Sequence, residues 1–177
     1  MELVQAGDVA RLALLFERHN LALFRYLLHL TSNRALSEDL VQEVFFRVLK
    51  YARSYDPDQP FRVWLYQMAR NAHRDALKKR RNEVTPDEAY EVRSSEPMPE
   101  ELFTRKQDVL FLQKALDKLP EEKREVLVLS RFHNLGYDEI ARLLGCEVGT
   151  VKVRAYRALR ELRHVFCELR GEKAYES

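Results

Sequence analysis

Cationic side chains recur at helical spacing towards the carboxyl end of this 177-residue chain. The set comprises Lys152, Arg154, Arg157, Arg160 and Arg163, and Glu161 alone opposes it. Ammonium and guanidinium groups neutralise phosphates and donate hydrogen bonds to the edges of bases. The chemistry predicted for this segment is therefore noncovalent recognition of nucleic acid, and the alternative is a solvated basic helix face.

The surrounding segment, residues 137–163, has the pattern of two helices joined by a tight turn. The apolar positions of its first helix are Ile140, Ala141, Leu143 and Leu144. Gly145 follows them, where a left-handed backbone costs glycine little. Thr150 is predicted to cap the second helix. A helix–turn–helix with a cationic second helix fits the major groove of DNA, although a plain αα-hairpin shares the pattern.

A second set of polar side chains recurs at steps of three and four between positions 39 and 50. Its members are Asp39, Gln42, Glu43, Phe46, Arg47 and Lys50. A solvated face with a Glu43–Arg47 pair explains the charges, but it does not explain the aromatic Phe46 among them. A polar face interrupted by an aromatic ring is suited to binding another protein.

Residues 61–81 mix aromatic, amide and cationic side chains. Trp64 is predicted to lie in the core, because it shares helical spacing with other apolar residues. Arg70, Asn71 and Arg74 project away from that apolar stripe. Bases stack on aromatic rings while cations neutralise phosphates, so this segment is a candidate surface for single-stranded nucleic acid. The run Lys78, Lys79, Arg80 and Arg81 ends it.

Several other classes of function are disfavoured by the sequence. It contains no glycine-rich phosphate loop, nucleophile elbow or histidine-rich metal motif, so no catalytic, metal or cofactor site is predicted. Its two cysteines, Cys146 and Cys167, are isolated, which fits a reducing cytoplasm. No apolar run approaches the ~18 residues that span a bilayer, so no membrane insertion is expected.

Glycine and proline are scarce away from a few boundaries, and this predicts an all-α fold of two small helical domains joined by an extended linker. The boundaries are residues 8–81 for the first domain, an acidic, proline-containing linker over 82–105, and 106–168 for a four-helix second domain. The first helix is predicted from about Asp8 to Thr31, with Phe16 in its core stripe. Ser37 is predicted to cap the second helix, and Pro60 to start the third.

These segments, in this order, resemble the extracytoplasmic-function sigma factors of bacterial RNA polymerase. Residues 39–50 resemble the polymerase-binding helix of sigma region 2, and residues 61–81 resemble the segment that opens and reads the promoter −10 element. Residues 119–163 resemble region 4, which reads the −35 element. A lone helix–turn–helix would not explain the first two segments.

The resemblance implies a noncatalytic promoter-specificity subunit without cofactors. Its implied partners are promoter DNA, an anti-sigma factor, and the β′ clamp and β flap of core polymerase. The implied polymerase-binding residues are Asp39, Gln42, Glu43, Phe46 and Arg47. The implied −10 residues are Arg70, Asn71, Arg74, Lys78, Arg80 and Arg81, and the implied −35 residues are Thr150, Lys152, Val153, Arg154, Tyr156 and Arg157.

Val153 departs from the small polar residue often found at its position in the family. Valine donates no hydrogen bond, so this side chain either touches a thymine methyl or packs within the protein. Two other functions remain open at this point. One is a stand-alone dimeric helix–turn–helix regulator that binds a palindromic site, and the other is a sigma-derived interaction protein that no longer binds DNA.

Overall fold

The computed structural model describes residues 1–5, 8, 10–82 and 100–171. Most of the predicted linker, residues 83–99, lies outside these ranges. The described elements are helical, which confirms the all-α prediction. They are α1 (Glu2–Gln5), α2 (Ala10–Thr31), α3 (Arg34–Lys50), a 3₁₀ turn (Ala52–Ser54), α4 (Phe61–Asn82), α5 (Glu100–Lys118), α6 (Glu121–Leu127), a π-helical turn (Val128–Phe132), α7 (Tyr137–Leu144) and α8 (Val148–Arg170).

The amino-terminal unit consists of α2, α3 and α4, and its cap at α3 differs from the prediction. Asn33 caps α3, because its side-chain oxygen accepts from the Leu36 N–H at 2.9 Å. Ser37 lies one turn inside the helix, where its hydroxyl donates to the Asn33 carbonyl at 2.7 Å. The predicted Ser37 cap is therefore wrong: the short amide side chain of Asn33 already satisfies the end of the helix.

The apolar predictions for this unit are partly confirmed. Trp64 is buried, with 6% of its surface exposed. Phe16 is 40% exposed, so its assignment to the core stripe is wrong, although its ring meets the Phe45 ring edge-on at 4.9 Å. Pro60 precedes α4, and its carbonyl accepts from the Val63 N–H at 2.9 Å.

The carboxyl-terminal unit consists of the predicted four helices, α5 to α8, but α5 begins at Glu100, inside the predicted linker. Gly145 ends α7 with a left-handed φ of 65°, as predicted. Glu147 precedes the first residue of α8, so Thr150 lies in the first turn and the predicted Thr150 cap is wrong. Helical geometry here starts before the residue with the best capping side chain.

The two units share one hydrophobic core, a contact that sequence patterns did not predict. Leu23, Tyr26 and Leu27 of α2 lie in the same buried cluster as Val126 and Leu129 of the second unit. This packing brings α4 against α7, and side chains of α4 reach Glu125 of α6 and His133 at the end of the π-helical turn. One predicted site residue, Arg70, is therefore placed at a contact between the units and not on an open surface.

Candidate functional site

The outer face of α3 carries the predicted protein-binding residues. Asp39, Gln42 and Phe46 are exposed, and 62% of the Phe46 surface faces solvent. The opposite face is buried through residues that include Val44 and Val48. An aromatic ring held on a rigid helix, with its neighbours free for polar contacts, provides a typical anchor for a protein partner.

Arg47 connects this face to α4. Its Nε donates to Glu43 Oε1 at 2.6 Å, and its Nη1 donates to Asp75 Oδ2 at 2.8 Å. The pair with Glu43 was predicted from helical spacing, whereas Asp75 was not. Both carboxylates hold the guanidinium in one position, so Arg47 presents a fixed charge beside Phe46.

The predicted −10 residues on α4 fall into two groups. Asn71, Lys78 and Arg80 are exposed, and Arg74 is half-buried. Arg70 differs, because only 17% of its side chain is exposed and it lies against α6. The side chain of Arg81 is outside the described set. The exposed group follows the carboxyl-terminal half of α4, where the Lys/Arg run concentrates positive charge.

A buried carboxylate of α6 holds Arg70. Arg70 Nε lies 3.0 Å from Glu125 Oε1 and 3.2 Å from Oε2. Tyr26 of α2 donates its hydroxyl to Glu125 Oε1 at 3.2 Å. Burial raises the pKa of Glu125, and the charge and hydrogen bonds of Arg70 oppose that increase. The same burial, with the Glu125 charge, raises the pKa of Tyr26 well above its usual value. Three helices therefore meet at one polar cluster.

Two further polar contacts join α4 to the second unit. Arg62 Nη2 donates to both carboxylate oxygens of Glu139, at 2.8 and 2.6 Å. Burial tends to raise the pKa of Glu139, but Arg62 and the Gly136 N–H outweigh it and the pKa is lowered. Tyr66 Oη lies 2.8 Å from His133 Nδ1, and burial raises the pKa of Tyr66 to about 12. A neutral His133 with its proton on Nε2 accepts the Tyr66 hydroxyl hydrogen, and the other neutral tautomer donates to the Tyr66 oxygen.

Acid is expected to weaken this contact through His133. Burial lowers the pKa of His133 from 6.5 to about 4, helped by the nearby charges of His29 and Arg25. Between these values the unfolded chain binds a proton that the folded protein does not, so stability falls as the pH drops through this window. Chemical denaturation at pH 7 and pH 5 measures how far the free energy of unfolding falls in acid. About 1 kcal/mol of that fall should come from His133, less than the change in its pKa alone implies, because the ring is partly exposed.

The His133→Gln variant should not lose that part of its stability in acid, because glutamine does not titrate and still accepts a hydrogen bond from Tyr66. His164→Gln is the matched control, because the His164 side chain is 62% exposed. The His164→Gln variant should lose as much stability between pH 7 and pH 5 as the parent chain does. If His133→Gln loses as much stability between pH 7 and pH 5 as the parent chain, His133 is not a source of the acid destabilisation.

The exposed face of α8 carries the predicted −35 residues. Its buried line is Val151, Ala155, Ala158 and Leu162. Lys152, Val153, Tyr156 and Arg157 are exposed, while Thr150 and Arg154 are half-buried. Arg154 lies beside Glu122 of α6, with 3.6 Å between Nη2 and Oε2. The helix therefore presents both cationic and apolar groups to solvent.

Sequence reasoning missed the cluster around Glu125. Glu125 is 4% exposed and is the first residue of the buried stretch 125–129. A signal was present, because Glu125 stands four residues before Leu129 and so shares its inner helix face. An acid on an apolar face needs a buried partner. The identity of that partner, Arg70, depends on how the helices pack.

Two negative findings apply to the described residues. No group of three or more histidine, cysteine, aspartate or glutamate side chains in them is arranged to hold a metal ion. Among their helices, none combines the length and apolar character needed to cross a membrane.

Two family models match the chain. The model described as Sigma-70 region 2 matches residues 15–83, and that described as Sigma-70, region 4 matches residues 112–162. The first match includes the outer face of α3 and the described residues of α4. The second includes the helix–turn–helix and most of α8.

Curated relatives extend the similarity to most of the chain. The ECF RNA polymerase sigma factor SigE of Mycolicibacterium smegmatis is 33% identical over 163 residues, which is 90% of this chain and 63% of that protein. The RNA polymerase sigma factor CarQ of Myxococcus xanthus is also 33% identical over 163 residues, 90% of this chain and 91% of that protein. The chain thus spans less than two thirds of SigE but nearly all of CarQ.

Solved structures share the fold. The structure of CnrH in complex with the cytosolic domain of CnrY matches with a TM-score of 0.70 at 25% identity, covering 91% of this chain and 90% of that one. The sigma factor RpoE of Bartonella quintana, solved with the anti-sigma factor NepR, matches with a TM-score of 0.68 at 23% identity, covering 84% and 94%.

Proposed function

This chain belongs to the extracytoplasmic-function sigma factors of bacterial RNA polymerase, and we propose that it binds core polymerase and directs transcription from promoters whose −10 and −35 elements it recognises. The observation that carries this proposal is the presence of both sigma regions in one chain, each with an exposed face of the required chemistry. The α3 face bears an aromatic anchor, and α8 bears cations.

Each of the two units has its own proposed contacts with polymerase and DNA. Residues 8–81 bind the β′ clamp through Asp39, Gln42, Glu43, Phe46 and Arg47, and they contact the melted −10 strand through α4. Residues 106–168 contact the β flap and the −35 element, and residues 82–105 connect the two parts. Flipping a base out of the stack costs a few kcal/mol, which cations on α4 help to offset by holding the strand.

The packing between the units has a direct consequence for −10 binding. Arg70 is held by Glu125, so its guanidinium reaches a DNA strand only when α4 and α6 separate. Asn71, Lys78 and Arg80 need no such change because they are exposed in the packed arrangement. Core polymerase binds each unit at a different place, and this binding favours the separation of α4 from α6.

An anti-sigma factor is a further expected partner. RpoE of Bartonella quintana was solved with the anti-sigma factor NepR, and CnrH was solved with the cytosolic domain of CnrY. The chain acts in the cytoplasm and without catalysis of its own, because its proposed partners are core polymerase and promoter DNA. A stand-alone dimeric regulator is not favoured, because that function does not explain the match to Sigma-70 region 2 or the exposed aromatic ring on the outer face of α3.

Run-off transcription with core polymerase and genomic DNA fragments tests the function. The chain plus core should yield discrete transcripts from a small set of fragments, whereas either component alone should yield none. The shared upstream sequence of those fragments defines the promoter. Core polymerase that neither binds the chain at moderate salt nor initiates with it would overturn the proposal.

A further inference from the structure

The side of α8 that faces away from the core forms one line of residues. Gly149, Val153, Tyr156 and Arg160 follow one another at steps of four, three and four. The buried line Val151, Ala155, Ala158 and Leu162 has the same steps, shifted by two positions. A shift of two residues turns an α-helix by about 200°, so the two lines lie on opposite sides. We call the first set the outward line of α8.

Val153 lies near the middle of this line and does not pack into the core. Its surface is 48% exposed, which removes one of the two roles that the sequence left open for it. An aliphatic side chain forms no hydrogen bond, and the one apolar feature in the major groove is the C5-methyl group of thymine. An exposed valine on a groove-binding helix is therefore suited to contact with that methyl group.

Gly149 stands one turn before Val153 on the same line. A Cβ built there meets no atom within 4 Å, so neither packing nor crowding within the described protein requires glycine. Its φ lies outside the left-handed range, unlike those of Gly145 and Gly171. Gly149 is the second residue of α8, where alanine favours the helix more than glycine does. The space that it leaves therefore lies on the solvent side of the helix.

Neighbouring side chains support the same orientation. Lys152 and Arg157 are exposed on either side of the outward line, as expected for groups that contact the two phosphate strands of a groove. Arg154 lies off the line and close to Glu122. Tyr156 is 64% exposed, and the Arg160 guanidinium lies 6.0 Å from its ring centre. The centre of the contact surface is thus apolar, and its flanks are charged.

We propose that Val153 is a specificity-determining residue that recognises the C5-methyl of a thymine in the −35 element, and that Gly149 lets the groove approach closely enough for this contact. This inference deepens the proposed function and rests on it. It assigns an A·T pair to the position opposite Val153. The preference arises from one methyl group, so it is modest for each promoter.

The test removes that methyl group without changing base pairing. Holoenzyme made from the full chain and core polymerase transcribes a run-off promoter in which each −35 thymine, on either strand, is replaced in turn by deoxyuridine. One replacement should reduce transcription about three- to five-fold, the effect of one lost apolar methyl contact. Val153→Ala should be nearly insensitive to that replacement. Val148→Ala, the same change on a different side of α8, should retain the parent sensitivity.

A second variant tests the close approach independently. Gly149→Ala should raise the melting temperature of the free protein by a few degrees, because alanine favours the helix. It should nevertheless reduce transcription from a promoter that depends on its −35 element by roughly ten-fold or more, since a 1.4 kcal/mol loss is already a factor of ten. A stabilised variant with full transcription contradicts the assignment of Gly149.

The outcomes separate this inference from the function on which it depends. Absence of transcription by the parent holoenzyme would refute the proposed function. Normal transcription that ignores every deoxyuridine replacement would refute only the role of Val153. A set of promoters whose −35 elements share no A·T pair would refute it as well.

Discussion

Glu125→Ala is expected to lower the free energy of unfolding by about 3 kcal/mol, because it leaves a largely buried Arg70 without its counter-charge. The Glu125 side chain is 5% exposed and that of Arg70 is 17% exposed. Alanine also removes the acceptor of the Tyr26 hydroxyl. The loss of one partner in a buried pair costs far more than the net stabilisation that the pair provides.

Urea unfolding measured by two signals tests this expectation. Trp64 is the one tryptophan in the chain and reports on the amino-terminal unit, whereas far-ultraviolet circular dichroism reports on all helices. Glu122→Ala is the matched control, since it makes the same change on α6 at a side chain that is 68% exposed. The control should change stability by less than about 0.5 kcal/mol.

A double variant distinguishes the loss of the pair from the loss of a single charge. Arg70→Met with Glu125→Met removes both charges and keeps apolar volume, so it should recover most of the stability lost in Glu125→Ala. Together with the single variants Arg70→Met and Glu125→Met, it completes a double-mutant cycle that gives the coupling between the two side chains. A Glu125→Ala protein that unfolds at the parent urea concentration by both signals would show that the cluster does not hold the units together.

Local patterns in the sequence were sufficient to predict most of the helices and several of their exposed faces. Phe46 could be assigned to the surface because its neighbours at helical spacing are polar, and Gly145 could be assigned to a turn because it follows the last apolar residue of α7. Both assignments depend on residues within one or two turns. The same reasoning chose the wrong cap at Ser37, because both Asn33 and Ser37 have suitable side chains.

The contact between the units could not be predicted in this way. Glu125 is 55 positions from Arg70 and 99 from Tyr26, and periodicity shows which face of a helix is buried but not what covers it. The polar cluster therefore appears only once the helices are packed. It changes the interpretation of Arg70, from an open DNA-binding group to one that is first held by a carboxylate.

Phe46→Ala is expected to weaken binding to core polymerase by about 30-fold or more, the effect of removing an aromatic anchor worth about 2 kcal/mol. The ring is 62% exposed in the free chain, so its removal should leave the melting temperature nearly unchanged. Arg47, held by Glu43 and Asp75, remains in place beside it. The variant thus separates binding from folding.

Competition against a labelled parent chain for core polymerase measures this effect. Leu21→Ala is a suitable control, because Leu21 is an apolar side chain that is 55% exposed on a different helix, α2. It should compete as the parent chain does, and Phe46→Ala should also lose run-off transcription at limiting concentrations of the chain. Equal competition by the two variants would mean that polymerase approaches a different surface. In that case the polar residues around Phe46 would be a solvated face, the simpler alternative that their spacing already allowed.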